Sequence, residues 1–407
     1  MCHTDATNHP ERVRLTATGT GKACVSFRTT VPAPRRQLMP EFTKEYLAEL
    51  QALPLEVKIA KSKLRIREWY HHFGGKVYVS FSGGKDSTVL LHLVRSVFPD
   101  VPAVFSDTGL EYPEIKAFAK SYDNVDVVRP KMVFDQVVQK YGYPLVSKEI
   151  AKCIFYARKN ISASGVNNYR LRLLDKAKYN DTLSRFNVGK WLSLAQKARF
   201  LIGADCCATM KKSPIHKYER ESDNKPFIGT LANESKMREQ AWKKHGCNSF
   251  DCKKQSSQPL SFWTEQDVLA YIENNNLPIC SVYGDIIWTD NSDQLAMPNT
   301  PGAKRITTGA YRTGCVFCGF GMHLEKGESR FQRLKRTHPR LYEYAIGGGQ
   351  WIDNPDYIEG LSTEPDEMGW IPWNPERIWV PSKKGLGMGF VFDEGNRIYG
   401  KEVWRYK

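Results

Sequence analysis

A β-forming run, Lys76-Val77-Tyr78-Val79-Ser80-Phe81, ends directly on Ser82-Gly83-Gly84-Lys85-Asp86-Ser87-Thr88, and an apolar helical pattern continues over 88–97. Strand, glycine loop and helix in that order leave the first backbone N–H groups of the helix unpaired at the positive end of its dipole, where an anion is favoured. Gly83 and Gly84 let the backbone approach such an anion, and Ser82, Lys85, Ser87 and Thr88 add donors. The loop lacks the G-x-x-x-x-G-K-[ST] spacing of motor ATPases and GTPases, which disfavours that class. Further strand-like runs at 102–105, 125–128 and 226–230 are separated by helix-length segments. This alternation predicts a doubly wound α/β fold with a parallel sheet and ligands at the carboxyl ends of its strands.

Lysine and arginine outnumber aspartate and glutamate by 59 to 44 over 407 residues, a formal charge of +15. That surplus favours an anionic partner: nucleotide phosphates, a polynucleotide, or both. The basic segments 148–199 and 330–340 are the candidates to track a polynucleotide backbone. No apolar run approaches the roughly 18 residues of a spanning helix, and the first residues show no basic-then-apolar leader, so the expectation is a cytoplasmic protein with no membrane partner. In that compartment its ten cysteines are reduced thiols or metal ligands.

The expected organisation is a basic arm over 1–40, a nucleotide-binding domain over 41–275, and a loop-rich, cysteine- and aromatic-containing region over 276–407. One helical period runs over 41–69. Trp351, Trp370, Trp373, Trp379 and Trp404 suggest a separately packed tail. Two cysteine clips lie far apart in sequence: the adjacent pair Cys206-Cys207, and Cys315-Val316-Phe317-Cys318 between Gly314 and Gly319. Four thiolates suit a [4Fe-4S] cluster or a structural zinc.

The strand followed by Ser-Gly-Gly-Lys-Asp-Ser resembles the signature of the PP-loop ATP pyrophosphatase superfamily. Asp107-Thr108-Gly109-Leu110-Glu111-Tyr112-Pro113-Glu114 resembles a stretch of its phosphoadenosine phosphosulfate reductase branch that lies beside the nucleotide. Gly229 to Arg238, with Glu234, Ser235 and Arg238, is similar to that branch's G-x-R-x-x-[EQ]-S-x-x-R, although Leu231 stands where arginine is usual and removes one anion contact. Pro259-Leu260 and Trp263 to Val268 match a further helix start, with Thr264 as its cap. The resemblance implies that Ser82, Gly83, Gly84, Lys85, Asp86, Ser87 and Thr88 grip the phosphates of ATP with Mg²⁺. It places Asp107, Thr108 and Gly109 near the nucleotide, and makes Lys85, Asp86 and Asp107 the catalytic candidates. It also implies that Cys206, Cys207, Cys315 and Cys318 hold an iron–sulfur cluster, with zinc as the alternative.

Reductases of this branch carry a C-terminal Glu-Cys-Gly-x-His nucleophile, whereas no cysteine follows Cys318 here. A thiolate is required for attack on a sulfonucleotide. The leading expectation is therefore adenylation of a target followed by sulfur transfer, as in enzymes that thiolate DNA or tRNA, with a sulfur donor such as a cysteine desulfurase as partner. Sulfonucleotide reduction, with Cys153, Cys247, Cys252 or Cys280 as nucleophile, is the alternative. A non-catalytic nucleotide- or DNA-binding module is the third reading.

Overall fold

In a computed structural model, residues 42–159, 163–290, 294–298 and 300–407 are described; the arm expected over 1–40 lies outside them. Val77–Phe81 (β1) is apolar on both faces and almost wholly buried, the pattern of a central strand in a covered parallel sheet. It sits inside a six-stranded sheet with Ala103–Ser106 (β2), Val125–Val128 (β3), Lys225–Ile228 (β4), Asn248–Ser249 (β5) and Ser256–Ser257 (β6), in the order β3-β2-β1-β4-β6-β5. Val79 lies level with Ala103 on one side and Phe227 on the other. All neighbours are parallel except the short β5–β6 pair. The chain winds outward from β1 through β2 to β3, then returns after a long excursion to β4 on the opposite side of β1. The order therefore reverses at the carboxyl end of β1, where an open α/β sheet leaves a crevice for ligands.

The helical period of 41–69 resolves into two helices, Lys44–Ala52 and Leu55–His72, because Pro54 forces the preceding Leu53 into extended backbone (ψ 149°). At Glu265–Asn274, Thr264 caps as its sequence predicts: its hydroxyl takes the Asp267 N–H at 3.3 Å, and its own N–H donates to the Asp267 carboxylate at 2.7 Å.

Most buried apolar side chains fall into two cores. One joins the sheet to its helices through Val77, Val79, Leu90, Leu93, Phe227 and Trp263. The other gathers Leu145, Ile154, Phe200, Met210, Phe317, Phe331, Trp370 and Trp404. Residues 42–407 thus form one unit, and the aromatic tail does not pack separately as expected. The Trp404 ring lies 6.1 Å from that of Trp191 and the Trp370 ring 5.7 Å from the Arg170 guanidinium, so both join a core shared with the middle of the chain.

Arg158 fastens this second core. It is buried with no carboxylate partner among the described residues and donates to the carbonyls of Ala195 (2.7 Å), Phe200 (2.7 Å), Leu194 (2.9 Å) and Ala198 (3.2 Å), with its guanidinium 4.3 Å from the Trp373 ring. Burial alone pulls its pKa down to about 9. A buried carbonyl stripped of its partner costs about 1–3 kcal/mol, so Arg158→Ala is expected to destabilise the protein by at least ~3 kcal/mol. The urea unfolding midpoint reads that loss.

Candidate functional site

The loop after β1 takes its shape from its own residues. Gly83 has φ +71°, and a Cβ there would lie 3.0 Å from the Ile115 carbonyl oxygen. Gly84 caps the helix Lys85–Arg95, and its missing side chain leaves room for the Tyr283 hydroxyl. The Ser87 hydroxyl donates to the Gly84 carbonyl (2.8 Å) and accepts the Ser82 N–H (3.2 Å), while the Thr88 hydroxyl donates to the same carbonyl (3.0 Å). Ser87 and Thr88 therefore brace the loop from within. Ser82 lines a cleft of about 150 Å³ at the carboxyl ends of β1 and β2, together with Ser106, Glu111, Lys211, Thr313 and Gly314.

Lys85 and Asp86 face a second cavity of about 110 Å³, shared with Leu231, Glu234, Glu265 and Arg312. The buried Lys85 ammonium donates to Glu265 Oε1 (2.6 Å) and the Tyr311 carbonyl (2.8 Å) and lies 4.9 Å from the Tyr311 ring centre. Its backbone N–H, one of the anion-seeking donors of the helix start, goes to the Tyr283 hydroxyl at 3.2 Å. Burial raises the Asp86 pKa above the ordinary carboxylate range; Lys85 opposes that shift and Glu265 adds to it.

Glu234 pairs with Arg238 and, at 3.1 Å, with Arg312. Leu231 is buried in the first core, and Arg312 brings to the same cavity the guanidinium that Leu231 does not supply. Ser235 acts as a helix cap, accepting the Arg238 N–H at 3.3 Å. Arg312, Tyr283, Tyr311 and Glu265 were not singled out from the sequence. Arg312 and Tyr311 lie just ahead of Gly314-Cys315, the only sequence signal that marks them.

Asp107 follows β2 but lines neither cavity. Its buried Oδ2 faces Lys116 Nζ (3.0 Å), Lys120 Nζ (3.4 Å) and Arg129 Nε (3.4 Å). Burial pushes its pKa up, but hydrogen bonds and charge from Lys116 and Lys120 outweigh it and hold the carboxyl below its ordinary value. The acid that reaches the cleft is Glu111, which accepts the Thr108 N–H (3.1 Å) and hydroxyl (2.8 Å); Gly109 makes the turn between them at φ +73°.

The two cysteine clips are joined by one extended segment. Tyr143 bridges Ile202, and Leu145–Val146 pairs in parallel with Gly319–Phe320. Only glycine fits at the seams: a Cβ on Gly203 would lie 1.7 Å from the Tyr141 carbonyl oxygen, and one on Gly319 would lie 2.6 Å from that of Pro144. Cys206-Cys207 opens the helical run that continues through the π-helical turn Ala208–Lys212 into Ser213–Ser222.

The four thiols consequently sit near one another. Cys206 hydrogen-bonds to Cys207 and feels the charge of Cys318 and Cys315. The Cys206 hydrogen bond, helped by Lys148 and Lys211 against the opposing effect of burial, lowers Cys207 to about 5, whereas Cys206 is pushed far up. Burial raises Cys315 to about 11 and also raises Cys318. Among the described residues, no three His, Cys, Asp or Glu side chains are gathered into a ready-made metal-ligating group. The donor set is nevertheless right in kind and number for a cluster, four thiols with two lysines beside them.

Cleft and thiols share a wall. Lys211 stands by Cys315 and Cys207 and is 3.9 Å from Glu111 Oε1, while the Val316 N–H donates to the Leu110 carbonyl at 2.8 Å. The remaining cysteines in the described residues line neither cavity. Burial raises Cys153 to about 11 and shifts Cys247 and Cys280 upward, and Cys252 Sγ lies 3.2 Å from His245 Nδ1.

The model of the phosphoadenosine phosphosulfate reductase domain matches residues 76–159 and 162–318. Uncharacterized protein MJ0973 of Methanocaldococcus jannaschii is 35% identical over 117 residues, 27% of this chain and 28% of that protein. Adenosine 5'-phosphosulfate reductase of Geobacillus kaustophilus is 29% identical over 100 residues, 23% of this chain and 43% of the enzyme. The chain thus spans less than half the length of these two relatives. Among solved structures, the U34-tRNA thiolase NcsA of Methanococcus maripaludis with its [4Fe-4S] cluster is 14% identical with a TM-score of 0.28, covering 55% of this chain and 66% of that one.

The Asp107 ion cluster makes a pH prediction. A carboxyl whose folded pKa is depressed stabilises above its unfolded pKa, near 4, and loses that contribution as pH falls through the folded value. Asp107→Asn is expected to flatten the acid limb of the stability–pH curve below about pH 4. Because its cationic partners are well exposed, the loss at pH 7 is expected to be on the order of 1 kcal/mol. Thermal unfolding across that range reads both effects.

Proposed function

The chain belongs to the phosphoadenosine phosphosulfate reductase domain family, and from that premise we propose an ATP-using, iron–sulfur-dependent enzyme that adenylates a nucleic-acid target, DNA or tRNA, and supports sulfur transfer to it. The observation that carries this reading is the wall shared by the loop cleft and the four thiols, built by Glu111, Lys211 and the segment Thr313-Gly314 that leads into Cys315. A nucleotide held at the loop would lie beside the place where sulfur chemistry is possible.

In the proposed reaction a target oxygen attacks the α-phosphorus of ATP, held with Mg²⁺, and the bond to pyrophosphate breaks. Sulfur at the sulfide level then displaces AMP. A persulfide from a cysteine-desulfurase-type donor would need a thiol reductant to be delivered in that state. Ser82, Gly83 and Gly84 would offer donors to the phosphates. Lys85 would exchange Glu265 for the departing pyrophosphate and stabilise its charge, with Arg312 and Arg238 adjacent. Cys206, Cys207, Cys315 and Cys318 would hold a [4Fe-4S] cluster, which when bound supplies sulfur-binding iron.

The second reading is sulfonucleotide reduction, favoured by the names of the curated relatives. The upward shifts of Cys153, Cys247 and Cys280 speak against three of its four candidate nucleophiles, since burial disfavours the thiolate at each, which leaves Cys252, 3.2 Å from His245 Nδ1, as its candidate.

Anaerobic protein incubated with ATP, Mg²⁺, sulfide and either DNA or tRNA is expected to release pyrophosphate and place sulfur in the nucleic acid. Lys85→Ala should lower pyrophosphate release about 100-fold or more. Release of sulfite from adenylyl sulfate, with no sulfur entering nucleic acid, would establish the reductase reading instead.

A further inference from the structure

Away from both cavities, the first turn of Lys148–Ala157 and the hairpin of Lys178–Tyr179 with Thr182–Leu183 enclose an open groove of about 750 Å³. The hairpin is set by its two central residues, Asn180 and Asp181, both at positive φ (48° and 60°), as a tight two-residue turn demands. It presents large apolar groups to water: Tyr179 is 63% exposed, Leu183 66% and the following Phe186 50%. A patch of this kind on a basic surface marks a place where something binds.

The groove's charges name the partner. Arg172, Lys178 and Arg185 line it against one acid, Glu149, which Arg172 already neutralises at 2.8 Å. The half-exposed Phe186 ring lies 5.0 Å from the Arg185 guanidinium and 6.0 Å from that of Arg172, whose Nε also donates to the Phe186 carbonyl at 2.9 Å. Exposed aromatic faces set among cations suit a chain that carries both phosphates and unstacked bases. A duplex hides its base faces and an acidic protein has none, so the chemistry fits an unpaired strand.

The groove also leads to the thiols. Lys148, the neighbour of the groove-lining Glu149, lies near enough to Cys207 for its charge to favour that thiolate. The same helical turn thus touches the groove on one side and the four-thiol site on the other.

We propose that this groove, with Tyr179 and Phe186 as stacking faces and Lys178 and Arg185 as phosphate contacts, binds a single-stranded polynucleotide and delivers it to the thiol site. The delivery step rests on the sulfur-transfer reading; the binding does not.

The test is fluorescence anisotropy on the full chain with a labelled mixed-sequence single strand of about 16 nucleotides, as DNA and as RNA, and with the corresponding duplex. Tyr179→Ala and Phe186→Ala should each weaken single-strand binding roughly tenfold, the loss of one stacked base. Arg185→Glu should weaken it as well and reduce its dependence on salt. All three positions are solvent-facing, and circular dichroism and the urea unfolding midpoint on the same samples separate lost binding from lost folding. Unchanged affinity in the three variants, preference for the duplex, or no binding by the wild type would overturn the proposal. Binding that behaves as expected in a protein that transfers no sulfur would leave the groove standing and sink the sulfur-transfer reading.

Discussion

The architecture of the candidate site hangs on one short pairing, that of Leu145–Val146 with Gly319–Phe320, extended by the bridge from Tyr143 to Ile202. This segment is what brings a cysteine pair near residue 206 and another near 316 to the same place. The approach is close enough that glycine is required at 203 and 319. Val146 itself adopts φ +63°, a conformation a β-branched residue avoids. It is held there by its pairing and by the Gly321 N–H at 2.8 Å, and the bend it makes sends the chain into the helix that carries Lys148 to Cys207.

A second theme is charge already spent within the protein. Lys85 is matched by Glu265, Arg238 and Arg312 by Glu234, and Asp107 by three cations. Buried charges need such partners. An incoming polyphosphate therefore competes with carboxylates for Lys85 and Arg312, and with the Tyr283 hydroxyl for the Lys85 backbone N–H. Binding selectivity follows from that exchange: a ligand with enough negative charge to replace Glu265 and Glu234 gains cations already placed, whereas a neutral one gains nothing.

Much of this was legible in the residues themselves. The strand at 125–128 has the bounds its pattern predicts, the loop at 82–88 lies between strand and helix, and Thr264 caps where its spacing with Asp267 says it should. Local periodicity and capping are short-range effects, so short-range reading finds them. What escaped it depends on contacts between distant segments. Asp107 looked like a nucleotide ligand, but Lys116, Lys120 and Arg129 capture it once the chain folds. Tyr283 and Arg312 reach the loop from far along the chain, and Trp370 and Trp404 join a core supplied largely by 134–210. The meeting of the two cysteine clips was implied by family resemblance; the strand pairing that achieves it has no signature in either clip.

The most direct test of this account is iron and acid-labile sulfide analysis of anaerobically purified protein, on the wild type and on one substitution from each clip, Cys207→Ala and Cys318→Ala. If the two clips form one centre, the wild type should carry about four iron and four sulfide per chain, and either substitution should abolish both. Zinc in the wild type, no metal at all, or a full complement surviving the loss of one clip would contradict it.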